Sequence, residues 1–162
     1  MSAIIGANTA YPAGMVTYMP EGEGERSFDA ISADVIAKGL IVWHDYANGN
    51  AALRGYKLPG TSGVERGPYK LVTKDKVAGV AKVVGVGSGF EGTCIAGAAI
   101  AGGAKVKLSA VTAGRVDQLG AADDVGLAVG EYVRMGKYAN SGDGNNAVGA
   151  AAAGDVIVVK FY

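Results

Sequence analysis

The chain reads as mainly β, a small β-barrel or sandwich domain preceded by an extended N-terminal arm, and three observations predict it. The first is a phrase that occurs twice. Gly97-Ala98-Ala99-Ile100-Ala101-Gly102-Gly103-Ala104-Lys105-Val106-Lys107-Leu108 returns as Gly149-Ala150-Ala151-Ala152-Ala153-Gly154-Asp155-Val156-Ile157-Val158-Val159-Lys160-Phe161. Each copy joins a turn of small residues and glycine to a strand of alternating or continuous β-branched residues. The second is composition: 27 glycines against 4 prolines imply many tight turns and few long helices, because glycine in a helix interior costs about 1 kcal/mol relative to alanine. The third is size. A chain of 162 residues, 49% of them hydrophobic, buries one core and forms one domain plus an arm.

Residues 1–27 make the arm. Its apolar residues, Ile4, Ile5, Tyr11, Met15, Val16, Tyr18 and Met19, are dispersed singly among prolines and glycines, and it ends in the acidic, glycine-spaced Glu21-Gly22-Glu23-Gly24-Glu25. Such a segment has no periodicity from which to build a core, so it orders by lying along another surface, its own domain's or a partner's. The alternative is a disordered or locally packed terminus. The domain proper spans residues 28–162. Ala33–Trp43 leads into it, with Lys38-Gly39 as a turn feeding a strand Leu40–Trp43, and Asn48-Gly49 is a strong turn dipeptide. Leu58–Pro68 is rich in loop residues, and strands follow at Tyr69–Val72 and Val77–Val86. The internal strand-turn-strand repeat covers residues 79–108 and 126–161, each copy opening on a Gly-apolar-Ala triplet, Gly79-Val80-Ala81 and Gly126-Leu127-Ala128. Arg115–Leu119 is a short alternating strand and Val125–Met135 a longer one. Asn140–Asn146 is a polar loop whose glycine and asparagine content suits positive φ, and Val156–Phe161 is the final strand.

Charge and cysteine usage narrow the function classes. Fifteen basic and fifteen acidic residues cancel, which leaves no global field to gather nucleic acid or an anionic membrane. The single cysteine, Cys94, makes no internal disulfide, which fits a reducing cytoplasm or a particle assembled there. Met1–Asn8 has neither the basic nor the apolar region of an export signal. The longest small-apolar stretch, Thr93–Ala104, falls short of the ~18 apolar residues that a membrane-spanning helix requires. The expectation is a soluble protein.

The motifs that carry chemistry elsewhere read here as structural. Gly87-Ser88-Gly89-Phe90-Glu91-Gly92 matches G-x-G-x-x-G after a valine-rich strand, but a dinucleotide turn must head a helix, and the segment that follows is broken at Gly97, Gly102 and Gly103. His44 is the sole histidine and stands beside Trp43 with no serine or cysteine near it in sequence, so a packed or surface role is favoured over catalysis. Cys94 sits among small apolar residues without a neighbouring cation, the setting of a buried inert thiol. Asp123 and Asp124 are adjacent and read as a solvated turn rather than an acid/base pair. Asn140–Asn146 lacks the spaced carboxylates of a calcium loop. No catalytic, cofactor-binding or metal-ligating residue is assigned. Eight tyrosines outnumber three phenylalanines, and Tyr11 and Tyr18 lie in the arm, where a side chain that is both apolar and hydrogen-bonding suits an interface.

The segment Gly79–Tyr162 resembles the capsid decoration (cement, head-stabilising) proteins of tailed bacteriophages. The resemblance rests on the two Gly-apolar-Ala triplets, the Ala/Gly-rich turn before each repeated strand, Gly114-Arg115-Val116 between them, and the closing phrase Ala153–Phe161. The insert Asn48–Gly67 and the arm depart from the family. What it implies is a non-enzymatic small β-barrel or β-tulip-like domain on the outer surface of a virion, made in the host cytoplasm. It would be a homotrimer that binds the major capsid protein and clamps neighbouring copies of it, touching neither nucleic acid nor membrane and needing no cofactor. On that reading Ile4, Ile5, Tyr11, Met15, Tyr18, Met19 and Phe28 are the contacts to the capsid or to a neighbouring protomer. A tail or receptor-binding module of a virion is an alternative, and a nucleotide-binding enzyme using Gly87–Gly92 a more distant one.

Overall fold

Strands dominate the chain because its β-branched runs are short and its glycines fall between them. The structure is a computed structural model and describes residues 12–18, 25–29, 35–44, 56–61, 69–77, 80–86, 89–135 and 149–162. The strands are β1 (Val16–Tyr18), β2 (Glu25–Asp29), β3 (Ile41–His44), β4 (Tyr56–Lys57), β5 (Tyr69–Val77), β6 (Val80–Gly85), β7 (Glu91–Ile95), β8 (Lys105–Leu108), β9 (Val116–Gln118), β10 (Gly130–Met135) and β11 (Val156–Phe161). They form a six-stranded sheet in the order β1-β7-β11-β10-β8-β9 and a five-stranded sheet in the order β2-β6-β5-β3-β4. Neighbouring strands within each sheet are antiparallel.

The six-stranded sheet is a half-barrel that curls back on itself at one end. There Ala96, just beyond β7, bridges Val116 of β9, and the Gly97 N–H donates to the Val116 carbonyl at 2.8 Å. Curling a sheet in this way turns one face inward along every strand. Cys94, Val106, Leu108, Val116, Tyr132, Ile157, Val159 and Phe161 fill that face, and Ile41, Leu71 and Val84 of the five-stranded sheet complete the same core. Phe90 and Phe161 pack with ring centroids 5.8 Å apart. A second apolar cluster, Ile36, Val42, Val72, Ala81 and Val83, involves the alternate residues of β3, β5 and β6. The centre of the five-stranded sheet is therefore apolar on both faces, as Leu71↔Val84 beside Val72↔Val83 shows. Across the six-stranded sheet the partners Glu91↔Lys160, Lys160↔Glu131 and Glu131↔Lys105 form a row of alternating charge, the arrangement in which cross-strand ion pairs support rather than oppose a ladder.

The repeated phrase is a structural repeat with an offset of one residue from its sequence alignment. Ala104 N–H closes its turn on the Ala101 carbonyl and Asp155 N–H on the Ala152 carbonyl, both at 3.1 Å, while Gly103 (φ 76°) and Gly154 (φ 88°) take the left-handed position that each turn requires. Ile100 and Ala151 pair antiparallel through both backbone bonds, at 3.0 and 2.8 Å. The strands that follow, β8 and β11, flank β10 on its two sides. The second turn is capped from within, its Asp155 carboxylate accepting from Ala152 N–H at 2.8 Å. In the first copy Ala104 offers no such acceptor, and Gln118 Oε1 accepts from Ala101 N–H at 2.7 Å instead.

Three local expectations are corrected. Val125–Met135 is not one strand: Asp124 accepts from Gly126 N–H and caps a 3-10 turn over Val125–Leu127, so the strand starts at Gly130. Val77–Val86 is likewise divided, since β5 runs to Val77 and β6 begins at Val80. The triplets Gly79-Val80-Ala81 and Gly126-Leu127-Ala128 are not equivalent, one leading into β6 and the other lying in the 3-10 turn. Within the segment read as an arm, Val16–Tyr18 pairs with β7, and Glu25–Asp29, which straddles its end, pairs with β6. Asn48-Gly49 and Asn140–Asn146 lie outside the described residues. Among the described residues no helix is long and apolar enough to cross a membrane.

Burial pushes the Cys94 thiol far above its ordinary range, so the folded chain holds that proton more tightly than the unfolded chain. The sign is then fixed: the stability is fully present below the unfolded thiol pKa, about 8.5, and is lost as pH rises above it, at about 1.4 kcal/mol per pH unit. Burial, with a smaller contribution from Asp155, also raises Tyr132, which steepens the loss once pH passes the ordinary tyrosine value of about 10. Urea unfolding across pH 7–10.5 is expected to show this alkaline decline, and Cys94→Ala should flatten its first part. An unchanged slope in that variant would assign the decline to other groups.

Candidate functional site

Two features of the fold converge at one end of the five-stranded sheet. The first is a clasp. The turn Pro12–Met15 is held by Thr93 of β7 through its backbone and its side chain: Gly14 N–H donates to the Thr93 carbonyl (3.0 Å), Thr93 N–H to the Met15 carbonyl (2.9 Å), Met15 N–H to Thr93 Oγ1 (2.8 Å), and Thr93 Oγ1 to the Pro12 carbonyl (2.7 Å). Thr93 is fully buried, which makes these bonds hard for water to replace. The clasp crosses from one sheet to the other, because Gly14 lies against the Val72 carbonyl and the backbone of Gly39.

The second feature is an apolar row. Gly39 N–H donates to the Val72 carbonyl, Val72 N–H to the Leu40 carbonyl, and Lys76 N–H to the Ile36 carbonyl, so residues 35–40 run antiparallel beside β5 and set Val35 next to Val77. Val77 in turn pairs with Val80. These valines are 81%, 72% and 44% exposed. Between row and clasp lies a groove of about 460 Å³ lined by Pro12, Ala13, Gly14, Met15, Lys38, Thr73, Lys74 and Asp75. Asp75 accepts the Lys38 N–H at 2.8 Å, and Lys74 stands opposite Lys82 in the ladder. Basic side chains beside exposed apolar ones are the chemistry of a docking surface.

Of the seven expected contact residues, Met15 lines this groove. Tyr18 is placed in β1 opposite Glu91, and Phe28 in β2 opposite Ala81, on the other sheet. Ile4, Ile5, Tyr11 and Met19 lie outside the described residues. Val35, Val77, Val80 and Lys74 were not singled out by sequence. The available signal was the small pair Ala78-Gly79 between two valines, followed to its N-terminal side by lysines at positions 70, 74 and 76.

The groups with chemical potential elsewhere are engaged in turns. Ser109 Oγ accepts from the N–H groups of Val111 and Thr112 at 3.1 and 3.0 Å. Asp123 accepts from Lys107 Nζ at 2.9 Å and from Gly120 N–H at 2.6 Å, and these two donors hold its carboxyl below the usual carboxylate range. The turn Gly89-Phe90 runs into the strand β7, whereas a dinucleotide turn heads a helix. Among the described residues no three His, Cys, Asp or Glu side chains are grouped to hold a metal ion.

No family model matches the chain, and no curated protein matches it. Among solved structures it is similar to the crystal structure of the head fiber gp8.5 N base in bacteriophage phi29, with a TM-score of 0.56 and 14% sequence identity, the match covering 86% of this chain and 95% of that one. At that identity the likeness is one of fold, and it extends over nearly the whole of both chains.

Proposed function

We propose that this chain is a non-enzymatic structural protein of a bacteriophage virion. It sits on the outside of the head as a homotrimer and stabilises the expanded shell by clamping neighbouring major capsid proteins. The observation that carries the reading is the fold likeness to the phi29 head fiber gp8.5 N base over nearly the whole of both chains, and the resemblance of Gly79–Tyr162 to decoration proteins points the same way. A protein that binds only the mature shell stabilises it by RT ln(1 + [L]/Kd) per site, so the role calls for surface and reach and not for a reaction. Three linked copies raise the avidity of weak contacts through effective concentration. Ile4, Ile5, Tyr11, Met15, Tyr18, Met19 and Phe28 are the proposed contacts to the capsid or to a neighbouring protomer.

The test is immunogold labelling of purified virions of the phage that encodes the chain, with an antibody raised against the whole protein. Gold on the outer surface of the head is the expected result, and heads stripped of the protein should then release DNA at a lower temperature than heads to which it is restored. Gold confined to the tail would replace the head reading by a tail or receptor-binding one. Virions free of the protein would overturn both.

A further inference from the structure

We propose that the valine row at the end of the five-stranded sheet docks on a second copy of this chain, and that the surface it meets there is the acidic turn Ala121–Val125. This does not depend on the virion reading, since it concerns the purified protein alone. Val77 and Val80 stand in register on β5 and β6, Val35 lies beside Val77, and all three are exposed, next to Lys74 on β5 and Lys38 across the groove. Two such rows facing each other would bring their lysines together at a desolvated contact, which like charges oppose. The surface that fits carries carboxylates beside an exposed apolar side chain.

The chain itself presents that surface. Ala121, Ala122, Asp124 and Val125 are exposed, and Val125 is 65% exposed at the head of the 3-10 turn. The shape of this knob is set before any contact is made: Asp123 is tied to Lys107 and to Gly120 N–H, and Asp124 caps Gly126. A preformed knob loses little conformational freedom on docking. In the proposed contact Val125 packs on the valine row while Asp124 faces the lysine rim, with Asp75 the opposing charge that the rim must outweigh. A single contact of this size is well below the roughly 1,200–2,000 Å² of a stable interface, so it holds only where the copies close on themselves and each uses both its row and its knob.

Sedimentation velocity on the full-length protein tests this. The native chain is expected to form a closed oligomer whose association weakens with added salt, as screened charges require. Val77→Asp sets a carboxylate against Asp124 and Val125→Lys sets an ammonium against Lys74, so each alone should weaken association by about tenfold or more. The double variant Val77→Asp/Val125→Lys should recover association to within a few-fold of native, because the new charges attract. Both positions are exposed, and an unchanged circular dichroism melt checks that the fold is intact. A native chain that stays monomeric at every concentration, an oligomer indifferent to both single changes, or a double variant that fails to recover would each overturn the proposal.

Discussion

Gly14→Ala is expected to lower folding stability by about 2–5 kcal/mol, the sum of a left-handed backbone cost of about 1–2 and an overpacking cost of about 1–3. Gly14 has φ 72°, and a Cβ there would lie 2.4 Å from the Val72 carbonyl oxygen and 2.8 Å from the Gly39 nitrogen. Both obstacles are backbone, so no side chain can rotate away. Relief would have to separate the clasp from β5 and loosen the bonds between Pro12–Met15 and Thr93 that hold it to β7. Gly103→Ala is the control: its φ is 76°, but nothing lies within 4 Å of the added carbon, so it should show the backbone cost alone, about 1–2 kcal/mol. Urea unfolding of the two variants separates the terms. Equal losses would mean that the crossing of the clasp over β5 is not tight.

That crossing also marks where sequence reading stops. The repeat was legible because two copies of one phrase each put glycine and alanine before β-branched residues, and Val156–Phe161 is the strand read from sequence. Strand β7 was not legible. Gly92 and Cys94 have little of the bulk that marks a strand, yet they are small because of their surroundings: a Cβ on Gly92 would meet Leu71 Cδ2 at 2.6 Å. Packing between the sheets selected those residues, and packing partners distant in sequence leave no local pattern. The same holds for Thr93, whose partners Pro12 and Met15 are 81 and 78 residues away. The valine row escaped notice for a different reason. Its members come from three separate segments, and only the backbone bonds of residues 36–40 to β5 bring Val35 to Val77. Surface patches of this kind arise from topology, whereas turns and strands arise from neighbours in the chain.

Tyr132→Ala should be the most damaging single truncation in the core, with a loss of about 3–5 kcal/mol as for other large aromatic-to-alanine changes. Tyr132 is the largest fully buried side chain among the described residues, and it joins the two copies of the repeat. Its N–H donates to the Ala104 carbonyl at 2.9 Å, in the turn of the first copy, and its hydroxyl donates to the Gly149 carbonyl at 2.8 Å, where the second copy begins. In β10 it stands opposite Val159, between the strands that the two copies contribute. Tyr132→Phe keeps the ring and removes the hydroxyl, and because Gly149 is exposed its carbonyl can turn to water, so this variant should lose about 1 kcal/mol. Calorimetric or urea unfolding of the pair divides the role of the side chain into ring packing and hydrogen bonding. If Tyr132→Phe cost as much as Tyr132→Ala, the hydroxyl and not the ring would be holding the copies together, and the half-barrel would depend on that one polar bond.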